Sequence, residues 1–480
     1  MLVATIGLEV HAQLLTESKI FCGCRAGYGA APNSQTCPVC LGAPGALPVL
    51  NRRAVEHAVR AALALNCTIH PVSVFARKHY FYPDLPKGYQ ISQYDRPLAT
   101  GGLLSIGDAR RRVGIVRVHL EEDAGKSLHD GVPGTDRWTF IDFNRSGVPL
   151  IEIVTAPDID SGAMAAACFS KIREVLVALG VNDGNMEEGS LRCDANVSVR
   201  IGEADPLGVK TEVKNINSFR YVQRAIEFEI ERQADIVARG GRVEAETRLW
   251  DSAAGRTYSM RSKEEAHDYR YFAEPDLPPL LVSAEWVEAV RRTMPELPEE
   301  TRERFVSAYG LPAYDAGVLT ASPALARYFE ATAAATGNPK AASNWIMGEV
   351  LGRLNADGMT IDDMRVTPER LAGLIRLVES GRITGPIAKQ VFERMFAEGG
   401  DPETIVEAEG LGRVGDDRAI DDLVRATLAA NPKPVQQFRA GKHQTFGFLV
   451  GQVMKASRGK ADPEKVSAAV RKYLESADKD

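Results

Sequence analysis

No run of eighteen apolar residues occurs in this chain of 480 residues, so no segment reads as a membrane-spanning helix. Charge of one sign is missing too. Lys and Arg (58) nearly balance Asp and Glu (64) for a net charge of -6, so no global field attracts a polyanion and local patches must do so. The start of the chain lacks the basic segment and apolar core of a secretory signal, which leads us to expect a cytoplasmic setting. Of seven cysteines three are scattered singly (Cys67, Cys168, Cys193), which suits a reducing compartment and small buried side chains better than a disulfide framework. Internal repeats and low-complexity tracts are absent. Gly125-Lys126-Ser127 imitates the end of a phosphate-binding P-loop, but Leu120 stands where that motif needs glycine, so a nucleotide would be held in another way. A Gly-x-Ser-x-Gly elbow and a Gly/Ser-rich amidase run are also lacking. What remains is ordinary globular composition, 44% hydrophobic and 25% charged, over a length that calls for two to four domains.

The segment Gly7–Gly42 is the most informative. Ala4, Ile6, Leu8 and Val10 alternate with Glu9, His11 and Gln13, the period-two pattern of a half-buried strand that projects an acid and an imidazole together. Cys22-Gly-Cys24 and Cys37-Pro-Val-Cys40 follow, two close pairs able to close around one tetrahedral zinc. Four thiolates leave no open coordination position, so such a site is structural; the alternative is four ordinary buried cysteines.

Further polar clusters precede residue 290. The run from Arg77 to Tyr94 mixes Arg77, Lys78, His79 and Lys87 with Tyr80, Tyr82, Tyr89 and Tyr94, a composition suited to phosphate oxygens and ring stacking, and equally to plain packing. Val116–Asp123 alternates again, with His119 and Glu121 on one side and Glu122 on the other. From Ser190 to Arg200 one face is small or apolar and the other carries Arg192, Asp194 and Asn196. Those residues are poor strand formers, which favours a lined cavity over mere exposure. Lys210, Glu212 and Lys214 repeat the arrangement, and Asn217 or Ser218 opens a helix to about residue 234.

These runs carry a resemblance. Ile6–His11, Tyr80–Gln93, Glu121–Ser127, Asn144–Val154, Met186–Asn196, Asp268–Phe272 and Phe446–Lys455 resemble the GatB family, the B subunits of aspartyl/glutamyl-tRNA amidotransferases, across essentially the whole chain. The resemblance implies an α+β protein: a strand-rich, cradle-like catalytic domain (1–292), an all-helical domain (293–405) and a small YqeY-like helical tail domain (406–480). It implies a ligase that phosphorylates the side-chain carboxylate of Glu or Asp on mischarged tRNA with ATP, then amidates it. Ammonia would come from an amidase-type glutaminase A subunit, with a small C subunit completing a heterotrimer. By the same resemblance Glu9, His11 and Glu122 hold Mg²⁺, and Lys78, Tyr80, Asp194 and Glu212 line the phosphorylation and amidation pocket. Arg192, Lys210 and Lys214 are the cations expected at the nucleotide. The residue chemistry alone leaves His11 either a metal ligand or a base, and leaves open which acid of Glu121 and Glu122 binds the metal. The expected tRNA contacts are Arg439, Lys442, Lys455, Arg458 and Lys460. They belong to a stretch, Lys433 to Lys472, with nine Lys or Arg against two acids, a net of +7. A non-catalytic, zinc-containing tRNA-binding module is the competing reading; paired acids beside His11 argue against it.

After about residue 290 the texture changes to Ala-, Leu- and Glu-rich helical sequence, including an expected helix through Ala342–Leu354 and two near the end, Phe446–Ala456 and Pro463–Leu474.

Overall fold

The computed structural model describes residues 2–107, 111–129, 131–202, 204–262, 266–412, 417–457 and 459–476. It is an α+β protein: a strand-rich first part is followed by helices alone. The chain divides into two compact units at Leu297/Pro298.

The first unit is built on a nine-stranded sheet. Its strands, with two from a neighbouring three-stranded sheet, are β1 (Leu2–Gln13), β2 (Thr68–Ile69), β3 (Phe75–His79), β4 (Tyr89–Gln93), β5 (Ala99–Ile106), β6 (Arg111–Glu122), β7 (Pro149–Thr155), β8 (Leu191–Ile201), β9 (Thr211–Lys214), β10 (Glu246–Asp251) and β11 (Arg256–Ser262). The large sheet runs β11-β10-β9-β8-β1-β7-β6-β5-β2, and β3 pairs with β4 beside it. All its pairings are antiparallel except β9 with β10. β1 therefore lies in the middle, between β8 and β7.

Alternation sorts the side chains of β1. Ile6, Leu8, Val10 and Ala12 are fully buried, while Glu9, His11 and Gln13 are only half-buried on the other face. The buried face is covered by three helices: α1 (Arg52–Ala64), α2 (Gly162–Ala178) and α3 (Phe219–Ala238). Each begins at a side-chain cap, Asn51 accepting from the Arg53 amide, Ser161 from Met164 and Ser218 from Tyr221. Ser218, not Asn217, is thus the cap of α3, and that helix continues four residues beyond the expected end at Ala234. Phe169, Ile172, Val222 and Ile226 are buried with the β1 apolar side chains in one core. Each such side chain contributes about 1.5–3 kcal/mol of burial, which fixes the register of β1: a slip by one residue would carry Glu9 and His11 inside. The opposite face of the sheet carries the polar residues.

The second unit is helical and contains two separate apolar cores, one from Phe305 to Leu411 and one from Ile420 to Leu474. The expected helix at Ala342–Leu354 lies within a continuous helical stretch, Pro339–Asp357, that passes through a π turn at Ile346–Val350. The last core is made by four helices, Asp417–Ala430, Pro432–Arg439, Thr445–Ala456 and Pro463–Ser476. The first two were not foreseen from the sequence. No described helix is long and apolar enough to cross a membrane.

Candidate active site on the open sheet face

Cross-strand register builds the site. His11 of β1 stands opposite Arg192 of β8 on one side and Glu152 of β7 on the other, and Glu152 stands opposite His119 of β6. Four strands thus present Arg192, His11, Glu152 and His119 in one row on the open face. Glu9 lies one pair along, opposite Asp194, and Asn196 pairs with Glu212 of β9. Side chains directly opposite one another on the same face are close enough to interact.

The row is an acid and imidazole cluster. Glu152 Oε2 is 3.6 Å from His11 Nε2 and 3.3 Å from His119 Nε2, and His119 Nε2 is 3.6 Å from Glu121 Oε2. Ser92 donates to Glu121 at 3.0 Å. Burial disfavours a charged imidazole on His11, but the Glu152 contact, with Asp194 and Glu121 nearby, prevails and raises its pKa to about 9. His119 is raised for the same kind of reason against the same burial, while Glu152 lies well below the ordinary carboxylate range, burial being outweighed by the two imidazoles. Glu9 moves the other way. Burial and then repulsion from Glu152, Glu212 and Asp194 raise it, and Asn196 donates to it at 2.8 Å. One ligand atom each from His11, Glu121 and Glu152 falls within 4.8 Å of the others. The two carboxylates suit a hard divalent cation, whereas the imidazole is a less usual ligand for one and must give up its proton to join them.

Glu122 does not join them. It follows Glu121 on β6 and points to the opposite face, where its carboxylate pairs with Lys87 and accepts from the Ile91 amide at 2.8 Å. Of the expected set Glu9, His11 and Glu122, the fold gathers His11 with Glu121 and Glu152 instead of with Glu122, and leaves Glu9 beside them. Adjacent strand residues face opposite ways, and the register with β7 chooses Glu121.

Cations flank the acids. Lys214 bridges Asp194 at 2.5 Å and Glu212 at 3.0 Å; those carboxylates raise its pKa although burial opposes this. Arg192 is anchored to the buried Asp123 at 2.8 Å, and Gln13 donates to the same carboxylate. Lys78 on β3 sits 4.8 Å from the Tyr269 ring centre and 6.0 Å from that of Tyr80. It is close enough to Glu121 to help lower that carboxylate's pKa, chiefly against burial and after His119. Burial, and then Glu121, raises the Tyr80 hydroxyl. Lys210, in contrast, is exposed on the segment before β9. Glu152, His119 and Asp123 are what sequence reasoning left without a role, and Glu121 it left as an alternative to Glu122. The signal for Glu152 was its place in the otherwise apolar run Val148–Val154.

The four cysteines converge elsewhere. The Sγ atoms of Cys22, Cys24, Cys37 and Cys40 lie within 4.8 Å of one another, and all are free thiols. The Cys37 amide donates to Cys40 Sγ at 3.2 Å, and the fully buried Lys19 donates to it at 3.6 Å. The Cys22 hydrogen bond, with the Cys37 amide and Lys19, draws Cys40 down to about 4 against its burial. Four sulfurs converging at one point fit a tetrahedral zinc.

In the tail, Arg439, Lys442 and Lys455 are exposed. Lys460 donates to the Gly410 carbonyl at 2.6 Å, and Arg458 lies outside the described residues.

Comparison with known proteins gives two family matches. Residues 4–288 match the GatB/GatE catalytic domain and residues 327–474 the GatB domain. The chain is 55% identical over 471 residues to the B subunit of the aspartyl/glutamyl-tRNA(Asn/Gln) amidotransferase of Geotalea uraniireducens, covering 98% of each chain. Its counterpart in Thermodesulfovibrio yellowstonii is 54% identical over 473 residues, covering 98% of this chain and 99% of its own. That of Carboxydothermus hydrogenoformans is 52% identical over 473 residues, 98% of each.

Proposed function

The chain belongs to the family of aspartyl/glutamyl-tRNA(Asn/Gln) amidotransferase B subunits, and from that premise we propose that its open sheet face activates and amidates the side-chain carboxylate of Glu or Asp carried on a mischarged tRNA. A carboxylate does not react with ammonia at neutral pH. The reading is therefore a ligase in two steps: a carboxylate oxygen attacks the γ-phosphorus of ATP, releasing ADP, and ammonia then attacks the acyl carbon and expels inorganic phosphate. Positioning and charge neutralisation dominate such chemistry.

The observation that carries the reading is the row Arg192, His11, Glu152 and His119, with Glu121 and Glu9 beside it and Lys78 and Lys214 at its flanks. Mg²⁺ at His11, Glu121 and Glu152 would supply charge neutralisation at phosphate oxygens. The chain's own groups do the rest. Asp123 fixes the guanidinium of Arg192, which offers a forked donor to a carboxylate or phosphate. Lys214, held between Asp194 and Glu212, brings a point charge to the same face. Lys78 reaches over from β3. Three cations around an acid cluster suit a dianionic phosphoryl group better than a neutral ligand. The four cysteines would hold zinc in a supporting role. Since no amidase signature occurs in the sequence, ammonia is assigned to a separate glutaminase subunit, with a small third subunit, and the tail to contact with tRNA.

Co-expression with a glutaminase partner, followed by assay on both Glu-tRNA(Gln) and Asp-tRNA(Asn), tests this. ATP cleavage that requires one of these mischarged tRNAs is expected; ATP cleavage indifferent to them, or none, would defeat the reading.

A further inference from the structure

The turn between the tail helices Pro432–Arg439 and Thr445–Ala456 holds Gly441 at φ +88°, a backbone that suits glycine. Around it opens a cavity of about 430 Å³, within the roughly 300–1,000 Å³ of ligand sites. The half-buried Phe438 and Phe446 and the buried Leu474 make its apolar part; the exposed Arg439, His443 and Arg471, with one acid, Glu475, border it. Phe438 meets His443 at 77° and Phe446 at 42°, and the Arg471 guanidinium lies 5.3 Å from the Phe446 ring centre. Rings set at angles do not cover one another's faces as the parallel Tyr94–Tyr271 pair does, at 4.1 Å and 5°.

A second observation lies on the helix that leaves this turn. Gly447 and Gly451 are both exposed, one turn apart, and Lys455 follows one turn further on the same side. A Cβ at either glycine would meet nothing within 4 Å. Glycine is the poorest helix former after proline, and among the described residues no packing accounts for two of them here. A surface stripped of side chains and ending in a lysine does suit the close approach of another backbone that carries phosphates.

We infer that this turn and helix face form a binding site for an unpaired nucleotide of the tRNA body: its base enters the aromatic cavity and the adjoining sugar-phosphate backbone lies along Gly447 and Gly451 toward Lys455. The inference rests on the tail being a tRNA contact, as proposed above, and adds the subsite. Base stacking on aromatic rings and phosphate contacts to Arg and Lys make a sequence-tolerant grip, and the net of +7 between Lys433 and Lys472 supplies the field.

Binding of an unacylated tRNA(Gln) transcript to the full-length chain, read by fluorescence anisotropy over a range of salt, separates the outcomes. Gly451→Ala should raise the melting temperature, since it improves the helix, yet weaken tRNA binding about tenfold. His443→Ala and Phe446→Leu should weaken binding by roughly five- to twentyfold with an unchanged salt slope, because stacking releases no counterions. Lys455→Gln should weaken it and flatten the slope by about one contact. If Gly451→Ala and His443→Ala both bind as the parent does while removal of residues 413–480 weakens binding, the subsite is wrong and the tail reading stands. If that removal also leaves binding unchanged, both are wrong.

Discussion

Replacing Glu121 by Gln keeps the side chain's size but removes a negative charge from the point shared with His11 and Glu152. Loss of one carboxylate at a phosphoryl-transfer centre costs on the order of a hundredfold or more in rate, so tRNA-dependent ATP cleavage should fall at least that far, with tRNA affinity nearly intact. Glu122→Gln is the control. Its carboxylate faces Lys87 on the other side of the sheet, so cleavage should stay within a few-fold; a collapse equal to that of Glu121→Gln would restore Glu122 to the centre. His57 supplies a prediction about stability. Burial, and then the nearby Arg53 charge, hold its pKa down at about 4, below the usual 6.5, against the Leu15 carbonyl, which lies 3.0 Å from Nε2 and favours the proton. As pH falls from about 6.5 toward 4 the unfolded chain takes up a proton there while the folded one does not, so stability is lost across that window. The loss is roughly 2–3 kcal/mol. Thermal melts of His57→Gln should show a flatter dependence between those pH values than the parent; parallel curves would mean that His57 is charged in the fold.

At the scale of elements, the cysteine loop between β1 and α1 brings four sulfurs close enough together to hold one metal ion. Removing Cys37 and Cys40 in favour of serine should release about one zinc per chain and lower the melting temperature, because a closed thiolate site contributes folding energy. Metal analysis of the intact, freshly purified chain that finds no zinc would overturn this. The cysteines were legible because ligand spacing is local: two pairs twelve residues apart announce themselves. So were β1 and β8, whose strict alternation separates Glu9, His11, Arg192 and Asp194 from the core. Glu152 was not, since the run around it is apolar on both faces of β7, as a central strand requires, and a single acid there shows its partners only once β7 is seen between β1 and β6. The sequence left the Glu121/Glu122 choice open for a related reason. Alternation says that the two point apart, but which of them shares a face with His11 depends on register between strands more than a hundred residues apart, and no local pattern encodes that.

At the scale of the molecule, the acidic chain with a basic tail raises the question of where the tail may be cut. A break near Asn431 would follow the sequence's charge pattern, yet the core from Ile420 to Leu474 shows that Ile420 and Val424 of the helix Asp417–Ala430 are packed with Leu449, Val453 and Val470. Cutting there would expose that helix's apolar face and confuse lost recognition with aggregation. Removal must therefore begin before residue 417 and take all four helices. Such a truncated protein should show a raised KM for aminoacyl-tRNA and a flatter dependence of that KM on salt, because log K falls with log salt in proportion to the phosphates neutralised. The row of His11, Glu152 and His119 belongs to the other compact unit, residues 1–297, which has its own core. Ammonia-dependent turnover at saturating tRNA should consequently survive. The two measurements together decide the tail's role: a raised KM with turnover kept assigns it to holding tRNA, whereas an unchanged KM and salt slope would assign its basic residues to assembly with another subunit, and a loss of turnover at saturation would show that the catalytic unit depends on the tail for its own geometry.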